Sequence, residues 1–414
     1  MITFGSIILW GVYFISLYFV VFWLLVFFEQ KTLDSPKRKL KNFPTVSVVI
    51  PAFNEEKTIE STILSALNLN YPKNKLEILV INDGSSDSTK SKVMAIQRRY
   101  PQVILINQKN KGKGAAMNNA LRHSKGEFFV CLDADSEVEK DALIYLLPNF
   151  FEEKVACVLP LMKAKNPKNL LEKLQFTEYI VNIFYKKLMG FLHSIPVAPG
   201  PFSIFRRQIL VDIGGYDENN LTEDLEITLR LQSLHYKIIQ DMHAEVYTKT
   251  PRNVRAFIRQ RKRWFKGGFF NGLRYRRIFF NPKYGDFGII QAPMLVLSGV
   301  IAISLLVTVA YNIFKPYIRG FFNLKLVNFD FWTFIENLKF SFNILDMNFT
   351  NVFVFIVMFS ISIFVLYLSY KSTREKVSDY GKIHIVLFLF FYFLMLGLSW
   401  ILLLPELFYK KHKW

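Results

Sequence analysis

The sequence predicts an α/β protein in which a mostly parallel, doubly wound sheet stands between membrane-spanning and interfacial helices. Three observations carry that expectation. From Val46 onward, short apolar runs alternate with amphipathic stretches across short turns. Apolar runs at 7–28, 287–314, 352–370 and 383–404 are each long enough to cross a hydrocarbon layer of ~30 Å. Acidic residues recur just past the ends of the expected strands.

The elements follow in order. Residues 7–28 carry no charge, hold Trp10, Tyr13, Tyr18 and Trp23, and are followed by Lys31, Lys37, Arg38, Lys39 and Lys41. Met1–Gly5 has no Lys or Arg and Phe28-Glu29-Gln30 makes a poor cleavage site, so the run reads as an anchor and not as a signal peptide. Val46–Ala52 reads as a buried strand, 55–67 as a helix, 76–82 as a strand, 86–99 as a helix and 103–107 as a strand. Residues 114–124 then look helical, and 127–132 form a further strand. Such alternation implies a parallel sheet covered on both faces, with ligands at the carboxyl ends of its strands. The expected organisation is an anchor at 1–30, a water-facing domain at 44–250, interfacial basic and aromatic helices at 251–285, and three spans within 286–414. Basic flanks on both sides of the domain place it in the cytosol by the positive-inside rule, although four spans then leave the tail Lys410-Lys411-His412-Lys413 outside.

Composition narrows the function classes. The chain of 414 residues is 51% hydrophobic and 16% aromatic, more than a soluble core needs. Its net charge of +19 suits nucleic acid, anionic lipid or phosphorylated substrates alike. Cys131 and Cys157 lie on apolar strand-like runs without CxxC spacing and read as buried thiols. A transporter needs ionisable groups inside its spans, and these runs hold them only at their borders.

The strand ends carry the chemistry. The first expected strand runs into Pro51-Ala52-Phe53-Asn54-Glu55, the second into Asn82-Asp83-Gly84-Ser85, and the fourth into Asp133-Ala134-Asp135. Paired carboxylates of this kind can hold a hard divalent cation together with donor phosphates, because Mg2+ and Mn2+ prefer oxygen ligands and use few protein ones, or can simply cap a solvated turn. Asn110-Lys111-Gly112-Lys113-Gly114 precedes a helix, where backbone N–H groups and Lys113 approach an anion. Its spacing is not that of a Walker loop. Further on come Pro199-Gly200-Pro201-Phe202 and Leu221-Thr222-Glu223-Asp224. Thr222 is the expected N-cap of a helix over 223–232, which puts Glu223 and Asp224 in its first turn, where the helix dipole keeps a carboxylate ionised. An ionised Asp224 beside a sugar hydroxyl suits general-base work. Finally, 252–277 holds ten basic residues, no acidic ones and interleaved aromatics, including Gln260-Arg261-Lys262-Arg263-Trp264. Nucleic acid is one reading of that stretch. Its place beside the second apolar run favours interfacial helices on anionic headgroups, with a helix at 170–192 carrying Lys173, Lys186 and Lys187 on the same surface.

Asn82-Asp83-Gly84-Ser85, Asp133-Ala134-Asp135, Thr222-Glu223-Asp224 and Gln260-Arg261-Lys262-Arg263-Trp264, in that order, resemble the membrane-bound family 2 glycosyltransferases. That group includes cellulose, hyaluronan, chitin-oligosaccharide and poly-N-acetylglucosamine synthases. The resemblance covers about 46–268 and implies a GT-A type Rossmann-like domain that uses Mg2+ or Mn2+ and a UDP-sugar donor. It implies Asp224 as catalytic base and Asp133 and Asp135 as metal ligands. Pro51, Phe53, Glu55, Asp83 and Lys113 would then meet the nucleotide, and Gln260, Arg263 and Trp264 the pyrophosphate. Gly200, Glu223 and Trp264 would meet the acceptor, as would Phe202, which stands where the family often has a polar residue. The expected partners are a nucleotide sugar, a glycan or lipid acceptor and the bilayer of the plasma membrane, with no nucleic acid.

Overall fold

In the computed structural model, residues 4–30, 40, 42–323 and 349–408 are described. The basic residues Lys31, Lys37, Arg38, Lys39 and Lys41, and the tail Lys410-Lys411-His412-Lys413, lie outside them.

After α1 (Phe4–Glu29), β1 (Val46–Ala52), β2 (Leu76–Asp83), β3 (Val103–Gln108) and β4 (Phe128–Cys131) alternate with α2 (Ile59–Leu67), α3 (Thr89–Arg99) and α4 (Lys113–His123). These four strands pair in parallel, in the order β3-β2-β1-β4. Their alternate residues serve two cores. Val48, Ile50, Ile78 and Val80 pack with Ile59, Ile63, Val93 and Ile96 on one face, while Val49, Leu79 and Ile81 pack with Ala116, Met117 and Ala120 on the other. Burial on both faces is what the apolar runs of a parallel sheet require. Strand order reverses at β1 and β4, so the crevice at their carboxyl ends is the natural ligand position.

The second half extends the same sheet through β5 (Ser136–Val138), α5 (Ala142–Leu146), β6 (Val155–Ala164), α6 (Leu170–Phe191), β7 (Ser203–Arg206), α7 (Arg207–Asp212), α8 (Glu223–Ser233) and β8 (Lys237–Thr248). β7 runs antiparallel between β4 and β6, and β5 antiparallel to β8, whereas β6 and β8 are parallel. The sheet is therefore mixed, with its parallel part where the sequence places it.

α9 (Val254–Arg274) leads into the apolar helices Ala292–Asn323 and Phe349–Ser372, and into a last stretch built from Ile383–Leu387, a π turn at Phe388–Tyr392 and Phe393–Phe408. Among the described residues, four helical segments are long and apolar enough to cross a membrane: Trp10–Glu29, Phe287–Tyr311, Val352–Ser372 and Ile383–Leu407. α6 corrects the expectation of a helix resting on the surface. Its Phe176, Ile180 and Ile183 pack on Leu161, Met242 and Leu366, and its Phe184 and Leu188 on Trp23, Val26 and Val365, so it fills the space between sheet and apolar helices. Lys187 is buried with it and donates to the Gln240 carbonyl at 3.2 Å. A capping box between Asn169 and Glu172 starts this helix.

Candidate active site

The loops after β1 and β2 are tied together. Asn54, at φ 55°, accepts from the Ser86 amide at 2.9 Å, and the Glu55 amide donates to Thr89 Oγ1 at 2.8 Å. Phe53 projects into solvent beside them and Pro51 is half-buried. Asp83, at the end of β2, is buried, and its carboxylate accepts from the amides of Lys111 and Gly112, each at 2.9 Å, and from Gln108 Nε2 at 2.8 Å. Asp83 thus fixes the loop that delivers Lys113 to the start of α4.

Lys113 is the hub. Its ammonium lies 2.6 Å from Asp133 and 3.1 Å from Glu223, and burial, which opposes its charge, is outweighed by these carboxylates, so its pKa stays well above the usual lysine range. Gly200 lies against this pair, since a Cβ there would sit 2.6 Å from Lys113 Nζ and 2.5 Å from Asp133 Oδ2. Lys113, Cys131, Gly200, Tyr216, Glu223 and Asp224 line one pocket at the carboxyl edge of the sheet. Burial, followed by the charges of Asp133 and Glu55, pushes Asp135 up to about 6, against a 3.1 Å hydrogen bond from Ser136. Burial and then the Glu223 charge likewise push Asp224 up to about 6, opposed by Lys113 and by the Leu225 amide, which donates to Asp224 at 2.8 Å. One lysine among these carboxylates leaves negative charge crowded around Asp133 and Asp135. That crowding fits a bound hard cation.

Two expectations are corrected here. Thr222 is the N-cap residue of α8 but makes no side-chain cap bond; its hydroxyl accepts from Asn271 Nδ2 at 3.0 Å. The helix dipole does not hold Asp224 in the ordinary carboxylate range, because desolvation and the neighbouring Glu223 outweigh it.

α9 closes one side. Gln260, Trp264, Gly267 and Asn271 recur at helical spacing and share a face. Asn271 donates to Thr222 and to Asn220 Oδ1 at 3.1 Å, and a Cβ on Gly267 would lie 2.8 Å from Thr222 Cβ. Tyr275, just past the helix, donates to Glu226 Oε1 at 2.6 Å. The segment ending in Asp224 and the face bearing Gln260 and Trp264 are thereby held as one unit. Gln260 Oε1 is buried with no hydrogen-bond partner, an unsatisfied group of the kind a substrate site leaves open. Arg263 is exposed on the flank of α9.

The structure thus brings Lys113, Asp133, Asp135, Gly200, Glu223 and Asp224 together, with Glu55 near Asp135 and Asp83 buried behind the loop that carries Lys113. Phe202 does not join them. It is 0% exposed, packed in the core on the α2 side at φ 56°, and offers nothing to an acceptor; a phenyl side chain gains more from that core than from a wet cleft. Sequence reasoning missed Glu178, Tyr392, Gly267 and Asn271. The 257, 261, 264 and 267, 271 spacings along α9 are the signal that could have marked its buried faces. Cys131 and Cys157 are buried free thiols.

Residues 47–214 match the family model described as Glycosyl transferase family 2. The chain carries a family 2 glycosyltransferase domain. It is 28% identical over 277 residues to the poly-beta-1,6-N-acetyl-D-glucosamine synthase of Staphylococcus aureus (strain COL), which spans 64% of this chain and 67% of that relative. The synthase of the same name from Staphylococcus epidermidis is 29% identical over 261 residues, covering 62% of this chain and 63% of the relative. Among solved structures, a mannosyltransferase from Pyrobaculum calidifontis, in complex with GDP-Man and Mn2+, superposes with a TM-score of 0.63 at 18% identity, over 97% of this chain and 96% of that one. This likeness bears on the fold, a GT-A type domain joined to apolar helices. Asp224 on α8 lies beyond the matched residues 47–214, and the pocket joins it to Lys113.

Proposed function

We propose that this glycosyltransferase is a membrane-embedded, metal-dependent, inverting enzyme that moves a sugar from a UDP-linked donor, UDP-N-acetylglucosamine or UDP-glucose, onto a growing glycan at the membrane. The observation that carries the reading is the meeting of Lys113, Glu223 and Asp224 in one pocket, with Asp133 paired to Lys113 and Asp135 near Asp133. The relatives named as poly-beta-1,6-N-acetyl-D-glucosamine synthases support the polymer over a single transfer.

Asp133 and Asp135 would hold Mg2+ or Mn2+, which would supply positive charge to the departing nucleoside diphosphate. Lys113 adds a fixed cation at the mouth of the α4 helix, and Pro51, Phe53 and Glu55 border the nucleotide. Asp83 acts at one remove, by shaping the loop at 110–112. Asp224 takes the proton from the attacking hydroxyl, and Glu223, paired to Lys113, holds the acceptor side. A single displacement inverts the anomeric carbon, so an α-linked donor yields a β-linkage. Gln260, Arg263 and Trp264 cover the pyrophosphate and the acceptor sugar from α9. The domain faces the cytosol, where nucleotide sugars are made, and the apolar helices sit in the plasma membrane.

Purified protein in liposomes, given labelled UDP-N-acetylglucosamine, UDP-glucose, UDP-glucuronate and GDP-mannose in turn, tests this directly. The expected result is turnover of one UDP-sugar into chains longer than a disaccharide. A single glycolipid product would overturn the polymer assignment, and release of no nucleotide from any donor would overturn the whole reading.

A further inference from the structure

Between Gln260 and Trp264 lies a residue buried inside the protein. Arg261 is 4% exposed, and its guanidinium makes a two-pronged contact with Glu178 of α6, Nη1 to Oε1 at 2.8 Å and Nη2 to Oε2 at 2.5 Å. Tyr392 donates to the same Glu178 Oε2 at 2.8 Å and lies 3.5 Å from Arg261 Nη2. The guanidinium carbon stands 4.4 Å from the centre of the Trp264 ring and 4.9 Å from that of Phe257. Three elements therefore meet on one charge: the helix bearing Trp264, the helix between sheet and apolar helices, and the last apolar stretch.

Stability alone is a poor explanation of this cluster. A buried ion pair recovers little more than its desolvation cost, and apolar residues of the same volume would hold three helices together as well. A bidentate fork does something apolar packing does not: it fixes the rotation of α9 about its own axis. Because Trp264 lies on the guanidinium that Glu178 orients, the pair sets the plane of the indole. Tyr392 ends the π turn Phe388–Tyr392, an irregularity that shifts residues around a helix and is frequent at functional sites.

We propose that Glu178 and Tyr392 are positioning residues for sugar transfer, acting through Arg261 on Trp264 and Gln260 and so coupling the seat of the last apolar helix to the catalytic pocket. This rests on the reading of Trp264 and Gln260 as substrate-facing.

The test uses the full chain in lipid nanodiscs with Tyr392→Phe, which deletes one hydroxyl, and Glu178→Gln, which deletes the charge and keeps the shape. Turnover per folded molecule falls about 10-fold in Tyr392→Phe and on the order of 10²-fold in Glu178→Gln, as misplaced reacting groups require. The double variant is no worse than Glu178→Gln, because the groups act as one unit. Hydrogen exchange over 257–266 rises in both. Normal turnover with only a lower melting temperature would overturn the proposal, as would unchanged exchange over 257–266. Should Glu178→Gln fail to fold, Tyr392→Phe decides alone. If the parent protein turned over no donor, the glycosyl-transfer reading would fall, while the exchange measurement would still report whether the cluster sets α9.

Discussion

Asp224→Asn lowers turnover by roughly 10²–10⁴-fold, the usual contribution of a positioned base, while nucleotide binding stays within about twofold. Asn keeps the shape and still accepts from the Leu225 amide, but it cannot take a proton. The pKa of Asp224 gives the pH signature. With burial and Glu223 pushing the carboxyl up to about 6, activity of the parent rises with pH through about 6 as the carboxylate forms, and falls on the acid side. That position suits a base, being high enough to accept a proton and low enough to be ionised near neutrality. The sign of the stability effect separates chemistry from unfolding. A carboxyl raised in the folded state contributes stability at acid pH, and that contribution is lost as pH rises through the folded value. At pH 7.5 Asp224→Asn is therefore at least as stable as the parent, and inactivity combined with an unchanged or higher melting temperature is the expected pair of observations.

Gly200→Ala is expected to abolish most activity in a chain that still folds, with turnover falling on the order of 10²-fold from displaced groups. The added Cβ would meet the ends of two side chains and no backbone, 2.6 Å from Lys113 Nζ and 2.5 Å from Asp133 Oδ2. Pro199 and Pro201 flank the position and stiffen the segment, so the side chains move and the backbone does not. Overpacking of this kind costs about 1–3 kcal/mol, which a chain with two full sheet cores tolerates. The Lys113–Asp133 pair separates, and Asp133 leaves the position it shares with Asp135. Retained activity in Gly200→Ala would mean that Asp133 acts from another position than the one it occupies here.

The first half of the domain was legible in the sequence because its strands are apolar on both faces. Val46–Ala52 has the bounds expected from the apolar pattern, β2 and β3 each run one residue further, and β4 is one residue shorter at both ends. Beyond 132 only the run around Cys157 reads as strand-like, and no strand bounds follow from the pattern, for physical reasons. β6 contains Pro160, β7 has four residues, β8 carries Lys237, Asp241 and Glu245, and the β6–β8 register shifts twice. Only long-range pairing makes them strands. The site was legible wherever a residue type and a strand end coincide, as at Asp83, Asp133 and Asp135. What escaped the sequence was orientation. Phe202 and Gly200 are two residues apart, yet one fills the core and the other borders the pocket. Arg261 read as one more cation of a basic stretch, and only its contact with Glu178, 83 positions earlier in the chain, shows that it faces inward.

Electron paramagnetic resonance of Mn2+ titrated into the purified protein, with and without UDP, bears most directly on the acidic pocket. Bound Mn2+ should appear at lower concentration when UDP is present, with UDP affinity raised by the same factor, since the linkage is reciprocal. The gain should vanish when Asp133 and Asp135 are both replaced by Asn. Mn2+ binding that ignores UDP, or that survives the double replacement, would contradict a shared site for the cation and the donor diphosphate.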